Sequence, residues 1–357
     1  MKPEGRVLVA MSGGVDSSVA AALVVEAGCE AVGVTLHLAG STSRCCSLED
    51  VDDARRVADA LGIPFYVANQ TERFRHEIIE AFADDYLRGR TPIPCVTCNK
   101  RFKFDILMER ARAFGAVAVA SGHFARIDTD PETGLFRLRR AVDANKDQTY
   151  FLYQLDQAQL ARTWFPLGEL TKDEVRARAR ALGLATADKP ESQEICFVPD
   201  GDYAAVVEAV RPEARNRPGE IVDEAGRVLG RHRGVHRFTV GQRKGLGVAG
   251  DRRLYVIRID AAEGQVVVGP EKELGAAGAI LEGVCWISGR APESPVRARV
   301  RVRYRHEGAP AWIEPTPGRR ARVVFDEPVR AVSPGQAAVF DRGDDVLGGG
   351  VIAASFS

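Results

Sequence analysis

Ala10-Met-Ser-Gly-Gly-Val-Asp-Ser-Ser18 lies between a strand-like run, Arg6-Val-Leu-Val-Ala-Met11, and an apolar-periodic segment from Ser17 to Ala27. In that strand, loop, helix context Gly13 and Gly14 let backbone N–H groups approach an anion closely. Ser12, Ser17 and Ser18 add hydroxyl donors, and the helix N-terminus adds its dipole. Ala10, Met11 and Val15 complete the loop. Asp16 would repel a bare phosphate, so its expected job is to hold Mg²⁺. Neither the Gly-Lys pair of a Walker loop nor G-x-G-x-x-G spacing is present, which implies a different phosphate chemistry.

Outward from this loop, short apolar runs alternate with amphipathic stretches. Strands are expected over Val7 to Met11, Ala31 to Leu36, Pro64 to Ala68 and Ala116 to Ala120. Helices are expected over Ser17 to Ala27, Asp50 to Leu61, Glu72 to Leu87 and Lys100 to Phe114, with another opening at the capping box Thr171-Lys-Asp-Glu174 and closing at Gly183. The pattern predicts a Rossmann-like, parallel-sheet α/β domain over residues 1–200. Beyond it, strand-turn-strand segments such as Leu254 to Val268 predict two small β-rich domains, a central one over 201–275 and a C-terminal, barrel-like one over 276–357.

A hydrophobic fraction of 45% with 27% charged residues excludes a disordered tail. The formal net charge of zero means that a nucleic-acid partner must be argued from local clusters. The start does not read as a signal peptide, and no apolar run is long enough to span a bilayer, so a cytoplasmic protein without a membrane partner is expected. In that reducing setting the seven cysteines read as buried thiols, metal ligands or redox nucleophiles.

One local cluster is Val296-Arg-Ala-Arg-Val-Arg-Val-Arg-Tyr-Arg305, where Arg297, Arg299, Arg301, Arg303 and Arg305 share one parity. A strand would put all five on one face, either a solvated face that resists edge pairing or an RNA-facing stripe. Among the cysteines, Cys98 sits in the proline-rich Thr91-Pro-Ile-Pro-Cys-Val-Thr-Cys-Asn-Lys-Arg-Phe-Lys103 before an expected helix, and Cys196 in Asp188-Lys-Pro-Glu-Ser-Gln-Glu-Ile-Cys-Phe-Val-Pro199. A thiol at a helix N-terminus beside Lys100, Arg101 and Lys103 is expected to ionise more readily. Cys29, Cys45, Cys46 and Cys285 read as buried structural thiols.

The loop at 10–18 resembles the PP-loop of ATP pyrophosphatases, which split ATP into AMP and pyrophosphate. That resemblance places the adenine edge against Leu36 and Gly122. The loop together with the Cys98-Asn-Lys100 block, Ser121-Gly-His-Phe124, Asp143-Ala-Asn-Lys-Asp-Gln-Thr-Tyr-Phe-Leu152, Ser192-Gln-Glu-Ile-Cys-Phe197, Gly234 to Gly247, Arg303-Tyr-Arg305 and Ser333-Pro-Gly-Gln336 closely resembles the tRNA-specific 2-thiouridylase family, in order over nearly the whole chain. The resemblance implies ATP-dependent adenylation of C2 of the wobble uridine in tRNA. It implies a Cys196 persulfide loaded by a sulfur donor protein, a cysteine desulfurase or relay protein, with Cys98 as the second catalytic cysteine ending in a transient disulfide. It also implies tRNA contacts at Ile93, Pro94, Cys95, His123, Lys146, Asp147, Gln148, Arg303, Tyr304 and Gln336.

The chain departs from the family at Cys95, where an aspartate is common. Cys95-Val-Thr-Cys98 with the distant Cys196 resembles the three-cysteine iron–sulfur site of related PP-loop tRNA thiolases, so a 4Fe-4S cluster and a persulfide route with a spare Cys95 both stand open. Two other classes are a PP-loop amidotransferase or ligase, which needs ammonia rather than cysteines, and a nucleotide-sensing RNA-binding protein that never forms AMP.

Overall fold

The computed structural model describes residues 2–38, 47–190, 195–198, 201–248 and 253–357. Cys45 and Cys46, Ser192-Gln-Glu194 and the expected boundary near 200 therefore lie outside the described residues.

Five parallel strands form the first sheet, in the order β3-β2-β1-β4-β7: β1 (Arg6–Ala10), β2 (Glu30–His37), β3 (Phe65–Asn69), β4 (Ala118–Ser121) and β7 (Thr163–Trp164). Val7, Leu8 and Val9 are all fully buried, the continuous apolar run that a central strand covered on both faces requires. Against it packs α1 (Val15–Glu26), whose Val19, Ala20, Ala21 and Ala22 are buried, small residues that let the helix approach closely. Beside it lies α2 (Leu48–Leu61), opened by a Ser47–Asp50 capping box.

Residues 71–87 form one helical rod, α3, with a π-helical middle at Arg75–Glu80. Residues 94–113 form another, α4, which starts at Pro94–Thr97 and becomes π-helical over Cys98–Ile106. The capping box at Thr171 opens α5 (Lys172–Ala181) as expected.

The central unit is a four-stranded sheet ordered β10-β11-β8-β9, made of β8 (Gly219–Val222), β9 (Val228–His232), β10 (Tyr255–Asp260) and β11 (Gln265–Gly269). The C-terminal unit is an antiparallel barrel of β12 (Gly275–Trp286), β13 (Val296–Arg301), β14 (Ala309–Thr316), β15 (Arg320–Arg330), β16 (Ala337–Arg342) and β17 (Asp345–Phe356), closed by pairing of β12 with β17. Its sheet does not stop there. The hairpin β5 (Ala125–Thr129) and β6 (Phe136–Arg140), from the α/β half of the chain, extends it through Arg139 and Leu138 opposite Asp345 and Val346. Arg126 to Asp344 at 2.8 Å and Arg139 to Asp345 at 3.0 Å reinforce that join.

The five arginines do not form one exposed face. Val300 and Val302 point inward and Arg297 and Arg299 are exposed, but the strand ends at Arg301, which is 2% exposed. The segment around Thr149–Phe151 covers that end of the strand, so parity still holds while the face has become an interface.

Candidate active site

The phosphate loop sits at the C-terminal end of β1, whose neighbours are β2 on one side and β4 on the other. In open α/β sheets the crevice beyond the carboxyl ends of such strands is where ligands bind. Leu36, near the end of β2, and Gly122, just after β4, flank the loop from both sides. Two glycines are required by shape. Gly13 has φ +70° and a side chain there would strike the Asp50 carbonyl; a side chain at Gly122 would strike the backbone of Asp16 and Ser17. The Ser17 hydroxyl donates to the Gly14 carbonyl at 3.0 Å and accepts from the Ser12 N–H at 3.1 Å, fixing the turn from within. Thr35 ties the Met11 carbonyl to β2, and Ser18 is met by Thr186 at 2.9 Å.

Two lysines that no local motif marks reach this loop. Lys172, at the first turn of α5, is buried and donates to Asp16 at 2.6 Å. Lys189 donates to the Gly13 carbonyl at 3.1 Å and to Asp50 and Asp53 at 2.7 and 2.6 Å. Partial burial works against the charge on Lys189, but the two carboxylates outweigh it and raise its pKa. Their signal in the sequence is weak: Lys172 lies inside a capping box, and Lys189 beside Pro190. Together the loop offers donors and cations for a polyphosphate. Asp16 is one carboxylate, which fits Mg²⁺ only as a partial ligand beside nucleotide oxygens, since that ion keeps several waters and takes one or two carboxylates.

Cys98 is not in a loop before a helix. It lies one turn inside α4, at the start of the π-helical stretch, a distortion that is frequent at functional sites. Two of the neighbouring cations pair with acids: Lys100 with Asp156 at 2.8 Å and Arg101 with Glu77 at 3.0 Å. Cys196 reaches the same core. Phe197 packs edge-on to Phe74 and Phe82, Phe74 packs edge-on to Phe102 one turn after Cys98, and both thiols border this cluster. Among the described residues no three His, Cys, Asp or Glu side chains lie close enough to hold a metal ion. Cys95, Cys98 and Cys196 are therefore not gathered as a metal-binding set among the described residues. Cys29 and Cys285 are only partly buried, against the expectation of buried thiols; Cys285 accepts from Arg319 at 2.9 Å.

Ile93 and Pro94 line a cavity of about 100 Å³ with Phe82, Asp85, Tyr153 and Gly335. Burial raises the pKa of Asp85 there. The C-terminal barrel holds the rim of this cavity: Gln336 donates to the Thr91 carbonyl at 2.9 Å, and the Thr91 N–H donates to the Pro334 carbonyl at 2.8 Å. Tyr304 packs on Phe151 at 4.5 Å near Lys146, and Arg303 is exposed. Asp147 and His123 are buried. The Asp147 carboxylate accepts from Arg301 at 3.1 Å and from Thr149 at 2.7 Å, so its charge is spent inside the protein. His123 shares a hydrogen bond with Ser121 at 2.8 Å, and burial, aided by Lys103, pushes its pKa well below the usual histidine range. The neighbouring Gln148 accepts from the Phe124 N–H at 2.9 Å.

Residues 5–200 match the tRNA methyl transferase HUP domain, 208–270 the tRNA methyl transferase PRC-barrel domain and 277–352 an aminomethyltransferase β-barrel domain. A tRNA-specific 2-thiouridylase MnmA of Solibacter usitatus is 55% identical over 98% of this chain and 100% of its own. The chain belongs to the tRNA-specific 2-thiouridylase family. Thiouridylases of the same name from Sorangium cellulosum (53% identical, over 98% of this chain and 92% of theirs) and Geobacter metallireducens (50%, over 100% and 99%) agree. The Thr91 rim joins two of the units that these family models match. Among the described residues no helix is long and apolar enough to cross a membrane.

Proposed function

We propose that this chain uses ATP to replace the C2 oxygen of the wobble uridine of tRNA by sulfur, in the cytoplasm. The observation that supports the reading is that Cys98 and Cys196, from distant parts of the chain, both border the aromatic core around Phe74, which reaches the Ile93–Pro94 cavity through Phe82. The phosphate loop, Lys172 and Lys189 hold the triphosphate. Attack of the C2 oxygen on the α-phosphorus releases pyrophosphate and turns that oxygen into part of AMP, a good leaving group. The uridine must leave its stack to present C2, and a cavity at the Ile93–Pro94 turn suits an extruded base. A donor protein loads Cys196 as a persulfide, whose outer sulfur replaces the adenylated oxygen as AMP departs. The Cys98 thiol supplies the remaining electrons by attacking the inner sulfur, leaving a Cys98–Cys196 disulfide that an external thiol reduces. Ile93, Pro94, Cys95, His123, Lys146, Asp147, Gln148, Arg303, Tyr304 and Gln336 are the tRNA-facing set in this reading, with Asp147 and His123 acting from buried positions by shaping the chain around them. Incubation with ATP, a sulfur donor and unmodified tRNA, followed by nucleoside mass spectrometry, tests it: 2-thiouridine with stoichiometric AMP is expected, and AMP without thiolated nucleoside would overturn it.

A further inference from the structure

The central unit carries a turn that the chemistry above leaves unused. Its base is fixed by both other units. The Tyr86 and Tyr203 rings stack at 4.5 Å beside Thr239, while the Val240 carbonyl accepts from Ser333 at 3.5 Å and Gly241 packs against Ala331. From this base the chain turns through Gln242-Arg-Lys-Gly-Leu-Gly247. Gln242 satisfies the turn from within, accepting from the Thr239 N–H at 3.0 Å and donating to the Lys244 carbonyl at 3.0 Å. Gly241, Gly245 and Gly247 all take positive φ, and Leu246 is buried as an anchor. The two residues left at the tip, Arg243 and Lys244, are exposed.

Some exposed arginines of the barrel are matched to acids, as Arg297 is to Asp326, Arg322 to Glu314 and Arg330 to Glu271. Among the described residues Arg243 and Lys244 have no carboxylate within ion-pair distance. A pre-shaped, self-satisfied turn offering two adjacent cations suits an anion it does not have to fold around, because little ordering entropy is lost on contact. Its place also matters. The base of the turn rests on the Ala331–Ser333 segment, which runs directly into the Pro334–Gln336 clamp on Thr91 at the cavity rim, and Arg303 donates to the Arg330 carbonyl one residue before Ala331.

We propose that the turn Gln242–Gly247 is a phosphate-binding finger, with Arg243 and Lys244 gripping the sugar–phosphate backbone of the tRNA whose base enters at Ile93–Pro94. The inference rests on the thiouridylase reading and extends its RNA surface into the central unit. The test measures the affinity of the full-length protein for unmodified tRNA across a series of KCl concentrations, for wild type, R243Q/K244Q and the charge-preserving R243K/K244R. The glutamine pair is expected to weaken binding by about tenfold near physiological salt. It should also lower the slope of log K against log salt by roughly one to two units, since each phosphate contact contributes about 0.7 to 0.9. The charge-preserving pair should stay near wild type. Equal affinity and equal slope for the glutamine pair and wild type would overturn the finger while 2-thiouridine formation by wild type leaves the enzyme reading standing. A wild type that neither binds nor thiolates tRNA would overturn both.

Discussion

Two clusters of paired charges organise this molecule, and they differ in how far water has been removed. Around the phosphate loop, Lys189 and Asp16 keep 29% and 33% of their side-chain exposure and Lys172 keeps 8%. Between the barrel and the α/β unit, Arg301, Asp147 and Asp341 keep 2%, 2% and 4%, with Arg301 at 3.1 Å from Asp147 and 2.6 Å from Asp341. The first cluster is made of lysines, flexible point charges that can trade a carboxylate for a phosphate. The second is built on a planar guanidinium held between two acids and near the Tyr150 ring. Partly hydrated pairs can be exchanged for a ligand. Desolvated ones hold parts together, because removing one partner strands a buried charge.

The largest effect should leave both clusters untouched. Cys98→Ser and Cys196→Ser are each expected to abolish 2-thiouridine while ATP binding persists, read by nucleoside mass spectrometry and nucleotide titration; thiolation near the wild-type rate in either variant refutes the sulfur path. Cys95→Ala sharpens the same point. With the persulfide route it should keep its activity and the protein should be iron-free, whereas about four irons per chain, lost in that variant, would replace the route with a cluster.

Next come the clusters themselves. Asp16→Ala should stop AMP formation at a smaller stability cost, whereas Arg301→Ala should cost roughly 3–5 kcal/mol by chemical denaturation because it leaves Asp147 and Asp341 buried without the guanidinium between them. If instead Arg301→Ala is as mild as an exposed change such as Arg297→Ala, expected within about 0.5 kcal/mol, the contrast between the clusters fails.

A smaller effect is expected from His123. Its folded-state pKa lies below the unfolded value, so the folded protein resists a proton that the unfolded chain takes up. Stability from this site is present above the unfolded value near 6.5 and is lost as pH falls below it. His123→Gln should flatten that acid-side loss in denaturation curves between about pH 7 and 5; an unchanged pH profile would show that the ring is not held neutral. The smallest is Arg303→Ala, expected to lower the salt slope of tRNA binding by roughly one unit if it meets a phosphate.

What could be read in advance follows the same physical line. The strands β1 to β4, the helix at Thr171 and the loop at 10–18 depend on local periodicity, capping and glycine geometry, so the sequence carries them. The fate of Arg301 depends on Asp147, far away in the chain, and parity cannot reveal what covers a face. Lys172 and Lys189 were hidden for the same reason: their meaning arises only when α5 and the following loop fold back onto α1 and α2. Cys98 was misplaced by one helical turn because Pro92 and Pro94 suggested a loop, whereas Pro94 occupies the first helical position, where its missing N–H costs nothing.

The β5–β6 hairpin bears on how the chain is made. During synthesis residues 1–200 emerge well before β17, yet the second edge of β6 pairs with Asp345 and Val346 of β17, and the Tyr150 hydroxyl donates to the Ala337 carbonyl. The nascent α/β unit must therefore wait with an open strand edge, the kind of surface that recruits other chains. A fragment ending near 200 should associate or precipitate unless the barrel is supplied as a separate polypeptide, in which case β17 can complete the sheet from another molecule.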